Sequence, residues 1–145
     1  MNQESITESL TKIFSLKHVL FSSFDISSLG LGLNRTQERV LMMAWHKRGA
    51  PMQFLSREAG LEKGSLTTVI DSLEKRGLVI RTRDESDHRS LIVTPTAEGK
   101  RQAQMIETLF HGHVGALLAK LTNEEAIEFE KSAIIIARLI PKLSA

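Results

Sequence analysis

Between residues 52 and 94 the hydrophobic period of this chain changes once, and that change limits what the segment can build. Apolar residues recur at helical spacing over 52–59 and again over about 63–76, with Gly60 between the two runs. Gly77 stands where a helix needs a left-handed cap. Beyond it LVIRTR and SLIVT are short and β-branched, joined by the polar DESDHR, and read as a hairpin. Two short helices meeting at a glycine turn form a helix-turn-helix when apolar residues lock them together. Here Leu55, Ala59 and Leu61 face Leu66, Val69, Ile70 and Leu73. The hairpin that follows would project as a wing.

Capping signals divide the rest of the chain into helices. Ser5-x-x-Glu8 predicts a capping box for a first helix, with Ile6, Leu10, Ile13, Leu16, Leu20 and Phe24 on one face. Asn34-x-x-Gln37 caps a second helix, which stops at Gly49 and Pro51. Thr94 and Pro95 predict the N-cap and first turn of a long fifth helix ending near Leu121. Thr122-x-x-Glu125 opens a sixth, in which Phe129, Ala133, Ile136, Ile140 and Leu143 alternate steps of four and three, the spacing of a packing seam. The expected fold is mainly α with a small β-hairpin wing: a winged helix-turn-helix with N- and C-terminal dimerisation helices.

On a helical wheel at about 100° per residue, Leu66, Val69, Ile70 and Leu73 of the fourth helix share a narrow arc. Gly64, Thr68, Asp71 and Lys75 fall opposite, flanked by Ser65, Thr67 and Ser72. A solvated face usually carries Lys and Glu. This one is small and hydrogen-bonding, which suits the major groove of DNA. The net charge of +2 says little by itself, but its distribution is informative. Lys75, Arg76, Arg81, Arg83 and Arg89 cluster around the hairpin, whereas Glu124, Glu125, Glu128 and Glu130 lie in a stretch without a cation. A basic segment beside a reading element is the usual footprint of a phosphate-binding face.

Residues 65–79 (SLTTVIDSLEKRGLV) and 81–99 (RTRDESDHRSLIVTPTAEG), with Asp-x-Arg at Asp87–Arg89, resemble the winged helix of the multiple antibiotic resistance regulator (MarR) family. The flanking helices match that family's dimerisation bundle in number and order. The resemblance implies one unit over residues 1–145, with the DNA-binding region at 34–94 and dimerisation helices at 5–28 and 95–143. It implies base or phosphate contacts from Lys63, Gly64, Ser65, Thr67 and Thr68 on the recognition helix. On the wing it implies contacts from Arg81, Arg83 and Arg89, with Asp87 orienting Arg89 through an ion pair. Glu62 departs from the family's usual Ser or Asp cap. A ligand-responsive repressor acting as a homodimer on a pseudo-palindromic operator is the implied function. Its small aromatic or phenolic effector would meet Phe14, His18 and Phe21 on the first helix and Met42 and Trp45 on the second. Aromatic and Met residues at such spacing are also ordinary core.

Other classes have less support. No cysteine is present, so neither a disulfide framework nor a thiol sensor is available, which fits a cytoplasmic protein. No apolar run reaches the roughly 18 residues of a membrane span, and the N-terminal MNQESITESLTKIF lacks the pattern of a secretory signal. His111 and His113 would sit about 200° apart on a helix and cannot chelate one ion from the same turn, so no metal or cofactor is expected. His113 lies on the Ile106, Phe110, Leu117 stripe, where a packed histidine is ordinary. No phosphate-cradling loop or nucleophile elbow points to an enzyme. The competing reading is a winged helix that binds another protein and not specific DNA.

Overall fold

The computed structural model describes residues 2–144, which fold into two compact units. One spans residues 26–108; the other comprises the described residues up to 25 and from 109 to 144.

In the first unit, α2 (Arg35–His46) leads through β1 (Ala50–Pro51) into α3 (Met52–Ala59) and α4 (Lys63–Lys75). Then come β2 (Val79–Arg83), β3 (Leu91–Pro95) and the first turns of α5 (Ala97–Leu118). The capping box of α2 forms as expected, with Asn34 and Gln37 satisfying each other's backbone N–H groups. Gly60, at φ 65°, turns α3 into α4 in the left-handed region that glycine tolerates best. Val40, Leu41, Ala44, Leu55, Leu66, Ile70, Leu73, Leu78, Val79 and Val93 make the buried centre, with Leu61 and Val69 packed on its edge. The expected lock between the two short helices is therefore present.

The hairpin is part of a three-stranded antiparallel sheet of order β1-β3-β2. β1 pairs Ala50 with Val93, and β2 pairs Val79 with Pro95 through to Arg83 with Leu91. The two-residue β1 was not expected, because its length carries no alternation to read. Pro95 closes β3 instead of opening α5. The hydroxyl of Thr96 caps that helix, accepting from the Gly99 N–H at 3.1 Å and donating to the Gly77 carbonyl at 2.6 Å.

The start of α5 packs on the winged unit. Gly99, Ala103 and Ile106 are buried, so the first turns of α5 belong with the winged unit. A Cβ on Gly99 would lie 2.0 Å from the Leu78 carbonyl oxygen, and only glycine permits that approach.

The second unit holds α1 (Gln3–Phe21), the end of α5 and α6 (Asn123–Leu143). α1 starts two residues before the expected box. Asn2 is its N-cap, accepting from Ser5 N–H, and Phe24 lies beyond its end. α5 stops at Leu118, and the Thr122–Glu125 box opens α6 as expected. Phe21 stacks on Phe110 with centroids 5.3 Å apart, Phe24 meets Phe110 edge-on, and His113 Nε2 lies 2.8 Å from the Leu20 carbonyl oxygen. His113 is thus packed and hydrogen-bonded. Neither α1 nor α6 buries a residue.

Candidate DNA-binding face

The small residues of α4 come out on its open side. Lys63, Gly64, Ser65 and Thr68 are exposed, and Thr67 is half-buried. The hydroxyls of Thr67 and Thr68 donate back to the carbonyls of Lys63 and Gly64, at 2.9 and 3.1 Å. With their protons used in this way, both hydroxyl oxygens keep lone pairs that can accept a further hydrogen bond. Glu62 is the N-cap by backbone geometry but makes no side-chain cap bond. The departure noted in the sequence thus leaves the first N–H groups of α4 without a side-chain partner, next to Lys63.

Three polar contacts fix this helix in place. Gln37, only 8% exposed, donates its amide to the Ser72 hydroxyl at 2.7 Å. Arg76 donates to the carbonyls of Leu31 and Gly32, at 3.3 and 2.8 Å. Arg81 reaches back from β2 to Asp71 at 2.6 Å and to Glu74 at 3.1 Å, and its backbone N–H bonds Glu74 as well. The side-chain hydrogen bonds that Arg81 donates to Glu74 hold the Glu74 carboxyl below its ordinary value and raise the guanidinium above its own. None of these partnerships carried a local signal. Gln37 and Ser72 are 35 positions apart, and the break at Gly77 hides the approach of Arg81 to α4.

The wing is held by its own backbone. Asp84 accepts from the N–H and hydroxyl of Ser86, and these bonds lower its pKa. Arg83 donates to the His88 carbonyl at 2.7 Å. Asp87 accepts from the backbone N–H of Arg89 at 3.1 Å. No side-chain ion pair between Asp87 and Arg89 is present among the described residues, so the carboxylate shapes the turn and leaves the guanidinium unpaired. Arg83, Asp87 and Arg89 are all exposed.

The expected ligand residues divide between the two units. Met42 and Trp45 are half-buried on α2. Trp45 lines a cleft of about 490 Å³ with His46, Arg48, Thr94, Pro95 and Lys100; none of these five was expected at a ligand site. His46 Nε2 is 2.8 Å from a Glu107 carboxylate oxygen. On α1, Phe14 is 82% exposed, His18 is exposed, and Phe21 is taken up by its stack on Phe110. Among the described residues no three His, Cys, Asp or Glu side chains gather as metal ligands, and no helix is long and apolar enough to cross a membrane.

A helix-turn-helix followed by a basic hairpin, with a small-residue face on its second helix, defines the winged-helix class of DNA-binding proteins. Residues 33–91 match the model of the MarR family. An HTH-type transcriptional repressor of Mycobacterium bovis is 32% identical over 101 residues, covering 70% of this chain and 73% of its own length. The HTH-type transcriptional regulator MhqR of Bacillus subtilis is 30% identical over 99 residues, covering 67% of this chain and 66% of its own. Among solved structures, NadR in complex with 4-hydroxyphenylacetate superposes with a TM-score of 0.70 at 22% identity, covering 89% of this chain and 92% of that one. The chain belongs to the MarR family and is a DNA-binding transcriptional regulator.

Proposed function

We propose that the protein is a cytoplasmic repressor that binds a pseudo-palindromic operator as a homodimer and is released by a small aromatic or phenolic acid. The observation that carries the DNA reading is the face of α4: Lys63, Gly64, Ser65 and Thr68 stand open on a helix held by Gln37, Arg76 and Arg81. No bulky group keeps this face from a groove wall. Lys63 and the uncapped first turn suit a phosphate, and the Thr hydroxyls and methyls suit base edges. Arg89, exposed and unpaired on the wing, is suited to the negative minor groove. Arg83 steadies the wing tip through His88, and Asp87 fixes its turn.

Pairing of two chains is supported by α1 and α6. Ile6, Leu10 and Ile13 on one, and Ile127, Ile134, Ile136 and Ile140 on the other, are more than two-fifths exposed. Apolar rows of this extent mark an interaction surface. A two-fold dimer would place two α4 helices in half-sites about one helical turn apart.

The effector reading draws on two observations. NadR, which shares the fold, was solved with 4-hydroxyphenylacetate. In this chain Trp45 gives a flat apolar wall to a cleft that Arg48 and Lys100 line with positive charge, a match for an aromatic acid. Met42 lies on the same helix as Trp45.

Selecting bound fragments from random duplex DNA, followed by salt titration, tests the reading. Enrichment of an inverted repeat and a steep loss of affinity with salt are expected. Uniform recovery of sequences with a flat salt response would favour the protein-binding alternative.

A further inference from the structure

The stripe of α4 that carries Gly64 and Thr68 continues to Asp71, with Glu74 on its flank. Carboxylates on a helix that meets DNA are a liability, because they repel the phosphates the surrounding cations attract. Arg81 answers that problem. β2 alternates its side chains, so Val79 and Arg81 share the side that packs toward α4. Val79 is buried and the Arg81 side chain is only 24% exposed, folded onto both acids. Its fork engages Glu74 through Nε at 3.4 Å and Nη2 at 3.1 Å, while Nη2 also reaches Asp71 at 2.6 Å. Among the cations of the wing, Arg83 is spent on a carbonyl and Arg89 is unpaired; only Arg81 faces acids of the reading helix.

We propose that Arg81 is a positioning residue that neutralises Asp71 and Glu74, allowing α4 to approach the phosphate backbone, and that it does not itself touch DNA. This role rests on α4 being the helix that enters the groove. A purely mechanical strut would lower stability whatever the charge of its partners. A direct DNA contact would need the guanidinium fork itself. Charge neutralisation predicts a third pattern, in which removing the acids removes the need for the arginine.

The test measures affinity for a duplex of about 30 base pairs containing the selected site, long enough for two half-sites. Folded fraction is checked for each variant by denaturant unfolding. Arg81→Gln should weaken binding roughly tenfold or more, since it exposes two uncompensated carboxylates. Adding Asp71→Asn and Glu74→Gln to that variant should restore affinity to within about threefold of wild type. Adding Glu62→Gln and Glu85→Gln instead removes as much negative charge without touching the cluster, and should restore little. Arg81→Lys keeps the charge and should stay within about threefold, giving an answer even where Arg81→Gln unfolds.

Unchanged affinity in Arg81→Gln overturns the proposal. So does a loss that neutral partners fail to rescue, or one the Glu62 and Glu85 control rescues equally. A large loss in a folded Arg81→Lys would make the fork a direct DNA contact and overturn it too. A wild-type protein that binds no duplex would defeat the DNA-face assignment itself, a result recognisable before any variant is made.

Discussion

The side-chain amide of Gln37 donates to the hydroxyl of Ser72 across 2.7 Å, joining the N-terminus of α2 to the last turn of α4. The same Gln37 closes the capping box with Asn34. One buried side chain therefore secures a helix start and the recognition helix together. Gln37→Ala should destabilise the protein by about 1–3 kcal/mol, from the lost cap and an orphaned hydroxyl. Urea unfolding should show a lower midpoint with an unchanged slope. An unchanged midpoint would show that solvent satisfies Ser72 equally well.

The two elements proposed to contact DNA should separate by the kind of energy they contribute. Arg89→Ala should weaken binding across most sequences and flatten the salt dependence. Thr68→Ala should cost roughly 1–3 kcal/mol on the preferred operator and little on random DNA. The two changes should be nearly additive because they sit on different elements. Unaltered sequence preference in the Thr68 variant together with unaltered affinity in the wing variant would sink the model.

The proposed homodimer would draw on the exposed apolar rows of α6. Ile136 is 43% exposed, and Ile136→Asp should convert a sedimenting dimer into monomer, since an unpaired charge buried in an interface costs several kcal/mol. A wild-type chain that sediments as a folded monomer at micromolar concentration would contradict the homodimer.

Two glycines of α5 should respond in opposite directions. Gly99→Ala places a methyl group against the Leu78 carbonyl and should cost at least about 1–3 kcal/mol. Gly112 meets nothing within 4 Å, so Gly112→Ala should gain up to about 1 kcal/mol of helix propensity. Thermal unfolding of the two variants checks the sign of each.

A pH effect follows from Glu98, whose carboxyl is pulled from its ordinary 4.5 down to about 2, chiefly by hydrogen bonding from Arg101 and then Gln102. A depressed carboxylate stabilises the folded state above its unfolded value and loses that contribution as pH falls through the folded one. The loss should therefore fall between about pH 4.5 and pH 2. Because the pair is exposed, the amplitude should be small. Glu98→Gln should flatten stability against pH in that window, and an identical profile for wild type and variant would rule the contribution out.

The helices were legible because capping residues and glycines act locally. Asn34, Gly60, Gly77 and Thr122 mark their positions from side-chain chemistry that needs no distant partner. Thr96, not Thr94, caps α5; a Pro at a first helical turn and a Pro ending a strand look alike in sequence. Arg81 shows the limit at the site. Its charge fits a DNA contact equally well until the fold brings Asp71 and Glu74 beside it. The exposed α4 face could be anticipated from helical period alone, whereas the contacts that hold it join residues far apart in the chain.

Gly99 has a mechanical meaning as well as a steric one. With no side chain between them, the backbone of α5 and the carbonyl of Leu78 have no soft layer to absorb displacement. Thr96 adds a second tie, to the Gly77 carbonyl at the exit of α4. Gly99 and Thr96 thus join the first turn of α5, backbone against backbone and through one hydroxyl, to the two peptides that link the recognition helix to the wing.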